Sequence, residues 1–258
     1  MPLNDRSGQQ QRGPGSFVFN QRTFSNQPRV AYGEAPMTLQ GTINKSFLLL
    51  VVLLAAAFWT WSQYLTTNDP ATIALPMMVG LGAGFVLAMI MSFRATLAPY
   101  LAIPYAACEG LALGGISAML ERRYPGIAIQ AVGLTFAVLA AMLVAYKTGL
   151  IKVTQRFRMI VVGGMAAIAL LLLVSWILNL FHVATPYLLT GSPLSLGISL
   201  VIIGFTAFSL ALNFDMIDAG AAMGAPRFME WYSAFGLLLT LVTLYIWILQ
   251  FLAQSQRR

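Results

Sequence analysis

The sequence predicts an all-α membrane protein, a bundle of seven transmembrane helices. The chain has 258 residues, of which 59% are hydrophobic and only 9% are charged, and its mean hydropathy is +0.77. A soluble domain typically carries about 25% charged residues, so this chain has too few charges to cover a water-exposed surface. Its apolar segments are long enough to cross a hydrocarbon core of about 30 Å, for which a helix needs about 20 residues.

Seven apolar segments follow a polar beginning. Residues 1–40 contain too little apolar surface to offset the entropy of ordering, so we predict a disordered N-terminal tail, and a membrane domain over residues 41–255. The sequence Asn68-Asp69-Pro70 is typical of a turn between the first two segments. The expected spans are Ser46–Leu65, Thr72–Phe93, Leu97–Leu120, Gly126–Tyr146, Met159–Phe181, Leu194–Asn213 and Trp231–Ala253.

The composition excludes several classes of function. The net charge of +7 lies in tails and short loops, which suits anionic lipid headgroups of the bilayer rather than nucleic acid. With Cys108 and His182 as the sole residues of their types, neither an intrachain disulfide nor a Cys/His metal set can form. Motifs of metalloproteases, serine hydrolases and phosphate-binding loops are absent. We therefore expect no enzyme activity, and no cofactor beyond a calcium ion as ligand or permeant species.

The distribution of basic residues predicts the orientation. If the N-terminus lies in the cytoplasm, the inside segments hold eleven of the fifteen Lys and Arg residues, as the positive-inside rule requires. His182 then falls in an outside loop, as a surface residue. Arg94 and the acidic residues near the start of the last span fall on the cytoplasmic side.

The stretch from Ala211 to Glu230, ALNFDMIDAGAAMGAPRFME, is the strongest candidate for a functional site. It holds three of the eight acidic residues, Asp215, Asp218 and Glu230, and carboxylates at the edge of a hydrocarbon layer are costly. Asp215 and Asp218 share a face if the helix continues, so they could hold a divalent cation or a single proton. The alternative is a solvated helix end, which has equal weight for Asp218.

Two further charged residues lie in or near the spans. Glu109 is near the middle of the third span, where an unpaired carboxylate must be protonated or bonded across the bundle. Glu109 has either a functional role or a structural one, as a neutral residue that joins helices. Arg94, at the inner end of the second span, could pair with Asp215 or extend to the interface as an anchor.

Three segments resemble a bacterial branch of the Bax inhibitor-1/YccA family. They are MTLQGTINKSFLLLVVLLAAAFWTW, LAPYLAIPYAACEGLALGGIS and ALNFDMIDAGAAMGAPRFMEWYSAFGLLLTLVTLYIWIL, and the basic loop YKTGLIKVTQRFR belongs with them. The similarity covers residues 37–253 in order. It implies a seven-helix bundle with a central last helix, in a bacterial inner membrane.

The resemblance also implies a function and a set of site residues. It implies a calcium leak channel gated by pH through acidic residues on the sixth and seventh helices, with an arginine of the second helix as a counter-charge. Asp215 matches the sixth-helix acid and Arg94 the arginine. Trp247 stands where the seventh-helix acid is expected, and Glu109, Asp218 or Glu230 could substitute for that acid.

Three hypotheses follow. The first is a pH-sensitive passive cation leak with Asp215 as gate or calcium site. The second is a membrane interaction protein without transport activity, which modulates a membrane-bound protease through its polar tail. The third, a proton-coupled carrier of small solutes that uses Glu109, lacks the broken-helix pair typical of many carriers.

Overall fold

Seven long helices make up the membrane domain. The structure is a computed structural model that describes residues 36–67, 69–181 and 192–256. Each helix is long and apolar enough to span a membrane, and strands are absent from these ranges, so the predicted all-α class is confirmed. The helices are α1 (Leu39–Thr67), α2 (Pro70–Phe93), α3 (Ala98–Arg123), α4 (Ile127–Lys147), α5 (Gln155–Leu180), α6 (Pro193–Ala222) and α7 (Phe228–Ser255), with a short 3₁₀ turn at Ala95–Leu97.

The last helix lies at the centre of the bundle. α7 packs against α1, α3, α4 and α6, and its side chains include much of the buried core. Tyr105 of α3 packs edge-on against Phe235 of α7, with ring centroids 4.9 Å apart. This agrees with the central last helix that the resemblance implies.

Two glycines of α3 allow close contact with α1. A Cβ atom at Gly110 or Gly114 would overlap the backbone carbonyl oxygen of Leu53 or Ala57 on α1. The two glycines are four residues apart, which is the Gly-xxx-Gly spacing that lets two transmembrane backbones approach closely. The side chains of α3 are consequently among the best buried of the bundle.

Local signals determine where the helices begin and end. Asp69 accepts a hydrogen bond from the Ala71 amide at 2.9 Å and so caps α2, next to Pro70. Shortly after α6 ends, Gly224 has a φ of 66°, the left-handed conformation that glycine adopts readily. The Ala225 amide then donates to the Gly220 carbonyl at 3.1 Å, a bond typical of a helix C-terminus that ends in a left-handed residue.

Two helices are longer than the apolar runs that predicted them. α1 begins at Leu39 rather than Ser46, and α6 continues to Ala222 rather than Asn213. In both cases polar residues occupy the added turns, and hydropathy cannot detect a helix that continues into the interface. Asp215 and Asp218 therefore lie within α6.

The segment before α1 contacts the turn between α6 and α7. The Met37 amide donates to the Ala225 carbonyl at 2.7 Å, and Pro36 forms an isolated antiparallel bridge with Pro226. The first helix is thereby fixed beside the last one. Most of the predicted tail, its residues 1–35, lies outside the described residues, as do His182 and the C-terminal Arg257 and Arg258.

Candidate functional site

Asp215 forms an ion pair between α5 and α6. The guanidinium Nη2 of Arg158, in the first turn of α5, donates to Asp215 Oδ2 at 2.7 Å. The two side chains are 21% and 28% exposed, respectively. The pair thus lies at the edge of the bundle, where salt and water screen it only in part.

Asp218 has a different partner. The hydroxyl of Tyr146, at the end of α4, donates to Asp218 Oδ2 at 2.9 Å. The ring of Tyr146 also packs against Phe214, with centroids 5.8 Å apart. Asp215 and Asp218 are therefore bonded to different helices, α5 and α4, and together they join both to α6.

Glu230 is the most deeply buried of the three acids. Its carboxylate forms an ion pair with Lys45 of α1. It also accepts hydrogen bonds from the backbone amide and the hydroxyl of Thr38, at 2.8 and 2.9 Å. Gly41 allows the carboxylate to approach, because a Cβ atom there would overlap it. Glu230 thus joins the first helix to the last.

Arg94 forms no salt bridge with Asp215 in the described residues. It is the exposed residue that follows α2. In the part of the chain that the structure describes, the salt bridge of Asp215 is with Arg158. The expected counter-charge is therefore present, but it comes from α5 rather than α2.

Glu109 lies between α2 and α3 at mid-span. It is half-buried, and a Cβ atom added at Gly84 of α2 would contact its carboxylate at 3.5 Å. Tyr105, one turn earlier on α3, has a buried hydroxyl without a hydrogen-bond partner of acceptable geometry in the described residues. Glu109 lies near the middle of α3, whereas Asp215 and Asp218 lie in the last turns of α6.

The candidate acids do not form a preassembled metal site. Within the described ranges, no three His, Cys, Asp or Glu side chains come together. Asp215 and Asp218 are each already bonded to a side chain. A cation at Asp215 would therefore compete with Arg158.

A large cavity lies elsewhere in the bundle. It has a volume of about 540 Å³ and lies among α1, α3, α4 and α7. Its lining is almost wholly apolar, and its polar part includes Ser117 and Tyr245, whose hydroxyls are 2.6 Å apart. None of the candidate acids lines it.

Sequence reasoning missed the partners of these acids. These partners lie near the ends of the predicted spans, where charge counting treats Lys45 and Arg158 only as signals of orientation. A signal was available, since each of them lies at the same end of the bundle as Asp215 when seven spans alternate. The pairing itself depends on which helices are neighbours, and the sequence does not state that.

The fold and these pairs define a class of protein. It is a multi-pass α-helical membrane protein whose central last helix is tied to its first by a buried ion pair, with two further acids bonded to neighbouring helices at the same end. The family model described as "Bax inhibitor 1 like" matches residues 6–257, and the chain belongs to that family. No curated protein and no solved structure gives a significant match.

Proposed function

We propose that this protein is a pH-sensitive passive leak for cations, calcium among them, and that the Asp215–Arg158 ion pair is its gate. The observation that carries the proposal is the 2.7 Å contact between these two side chains. It joins the start of α5 to the last turns of α6.

The packing of α5 makes this ion pair important. α5 packs mainly against α6, and most of its side chains are exposed to the surroundings of the bundle. Apart from the ion pair, its contacts include Phe157 against Phe208, with ring centroids 5.7 Å apart, and Gly164 beneath the ring of Phe205. Loss of the ion pair would leave α5 free to move away from α6 at that end.

Asp215 is also the proposed cation site. Calcium prefers carboxylate and carbonyl oxygens, and Asp215 has a carboxylate that is 28% exposed. Displacement of Arg158 by the cation would open the gate and bind the permeant ion in one step. A cation bound at Asp215 would be held only transiently, because few other acidic side chains are nearby.

The experiment is calcium flux into proteoliposomes that hold a calcium-sensitive dye, measured over a range of external pH. We expect Asp215→Asn and Arg158→Gln each to abolish most of the pH dependence, because each removes one half of the ion pair. The matched control is Asp218→Asn, which removes a carboxylate of the same helix that bonds to Tyr146 instead. Arg94→Gln is a second control and should leave the pH profile unchanged.

The proposal fails if the purified protein conducts no calcium above empty vesicles at any pH. It also fails if Asp215→Asn leaves the profile unaltered. If Arg94→Gln altered the pH profile and Arg158→Gln did not, the counter-charge of Asp215 would be Arg94, which follows α2.

A second candidate function rests on the segment before α1. The bonds of Met37 and Thr38 fix the segment that joins residues 1–35 to α1 beside the α6–α7 turn. The tail could there restrain a membrane-bound protease. Deleting residues 1–35 should abolish capture of such a protease from detergent extracts and leave ion flux intact. Unchanged capture would remove this candidate.

We further propose a bacterial inner membrane location with the N-terminus in the cytoplasm, from the surplus of basic residues on that side. The test uses a variant with Cys108→Ala and a single new cysteine at Arg227 or Arg123. An impermeant thiol reagent added outside intact cells should label the cysteine at 123 alone. Labelling of the cysteine at 227 alone would reverse the orientation.

A further inference from the structure

Two side-chain hydrogen bonds define the register between α6 and α7. The amide of Asn213 donates to the hydroxyl oxygen of Thr240 at 2.8 Å, and the Ser199 hydroxyl donates to Gln254 Oε1 at 3.4 Å. Asn213 follows Ser199 by fourteen residues, and Gln254 follows Thr240 by fourteen. The two antiparallel helices thus keep one register over about four turns.

The midpoint of this register is occupied by Thr206 and Trp247. Each lies seven residues, about two turns, from both hydrogen-bonded positions of its helix. Thr206 is fully buried, and its hydroxyl donates to the Ile202 carbonyl within α6 at 2.8 Å. Trp247 is half-buried. We call the positions Ser199, Thr206 and Asn213 of α6, with Thr240, Trp247 and Gln254 of α7, the polar seam.

Polar groups continue around Trp247. Gln250 lies three residues further along α7, and its buried Oε1 accepts no hydrogen bond from the described residues. A buried amide oxygen without a donor is costly and is usually satisfied by water. The seam therefore has polar side chains toward both ends of α7 from Trp247, and tryptophan is the largest side chain among its six positions.

We propose that Trp247 is a steric plug that keeps water and ions out of the polar seam between α6 and α7. This inference deepens the proposed leak. It rests on that proposal because it makes the seam the route of the cation. The seam ends at Asn213, whose side chain faces α7, while that of Asp215, two residues later, faces α5. The seam and the proposed gate therefore lie on different faces of α6 at the same end of the bundle. A smaller residue at position 247 would connect the polar groups of the two halves.

Cysteine accessibility tests the plug without reference to transport. In a Cys108→Ala background, Thr206→Cys places a thiol at the midpoint of the seam. A small charged methanethiosulfonate should label it slowly when Trp247 is present. Trp247→Ala should accelerate labelling by about tenfold or more, because the reactive thiolate forms only in contact with water.

A size series and a lipid-facing control make the result specific. The labelling rate of the cysteine at 206 should be close to the parent rate in Trp247→Phe, and in Trp247→Leu it should lie between the rates of the Phe and Ala variants. The series therefore remains informative if one variant folds poorly. Leu200→Cys on the exposed face of α6 should remain unlabelled in all backgrounds. Equal labelling of the cysteine at 206 in the Trp, Leu and Ala backgrounds overturns the plug.

Flux through the same variants separates the two proposals. The plug predicts a larger leak for Trp247→Ala than for the parent in dye-loaded vesicles, and Trp247→Phe should match the parent. If accessibility rises with decreasing size but no variant conducts, the plug stands and the leak fails. If Asp215 controls a leak while accessibility at position 206 never changes, the leak stands and the plug fails.

Discussion

The buried ion pair between Lys45 and Glu230 makes a quantitative prediction for stability. The side chains are 16% and 4% exposed, so neither charge is well solvated by water once its partner is removed. Removal of one partner from a buried ion pair costs about 3–5 kcal/mol, because the other charge is left uncompensated. Glu230→Ala also removes the acceptor of both Thr38 hydrogen bonds, so we expect a loss of about 4 kcal/mol or more.

A double-mutant cycle isolates the pair from those two hydrogen bonds. Glu230→Gln retains an oxygen that can accept from Thr38 but leaves Lys45 unpaired, and we expect a loss of about 3 kcal/mol. Lys45→Met in the Glu230→Gln background removes the unpaired charge and should recover much of that loss. The coupling energy between the two positions should therefore exceed about 2 kcal/mol, well above the 1 kcal/mol or less typical of exposed pairs.

The assay is the free energy of unfolding in mixed micelles titrated with sodium dodecyl sulfate, followed by tryptophan fluorescence. Asp218→Asn is the matched control, since it neutralises an exposed acid of the same end of the bundle and should change the free energy by well under 1 kcal/mol. A coupling energy below about 1 kcal/mol would show that the pair behaves like an exposed surface pair. The reasoning from burial would then be wrong.

Two further predictions concern packing and polar contacts within the bundle, and the same unfolding assay measures both. Gly114→Ala should destabilise the protein by about 1–3 kcal/mol, because the added methyl meets the Ala57 carbonyl. Gly133→Ala, with open space around it, should instead stabilise the protein by about 0.5–1 kcal/mol. Equal effects of the two substitutions would contradict the close approach of α1 and α3. Ser117→Ala and Tyr245→Phe should show a coupling energy of about 0.6–1.7 kcal/mol, between the average and the largest value measured for hydrogen bonds between membrane helices. Purely additive effects would show that the 2.6 Å contact contributes nothing.

The fold could be predicted from the sequence because a bilayer imposes strict rules on it. Every buried backbone group must be bonded within the span, so long apolar runs become helices, and the seven runs correspond to the seven helices. The positions at which the helices begin and end were less predictable. The additional turns at Leu39 and Ala222 carry polar residues that bond to other helices, and hydropathy treats such residues as the end of a span.

The candidate site could be predicted only in part. Asp215, Asp218 and Glu230 stood out because carboxylates are rare in this chain and costly near hydrocarbon. Their partners could not be derived, since Lys45 precedes Glu230 by 185 residues and Arg158 precedes Asp215 by 57. Contacts over such separations depend on which helices pack together, and that depends on surfaces such as the glycines of α3. The roles of these residues in transport stay predictions.

The Lys45–Glu230 pair has a consequence for the order of assembly. Lys45 belongs to the first helix to be made, and its partner follows 185 residues later. At about 5–20 residues per second of synthesis, Lys45 waits for Glu230 for roughly 10–40 s. A chain that stops before the seventh helix retains a lysine at the membrane edge without the carboxylate that neutralises it in the finished bundle. Pairing of Lys45 thus requires that synthesis has reached the first turn of α7.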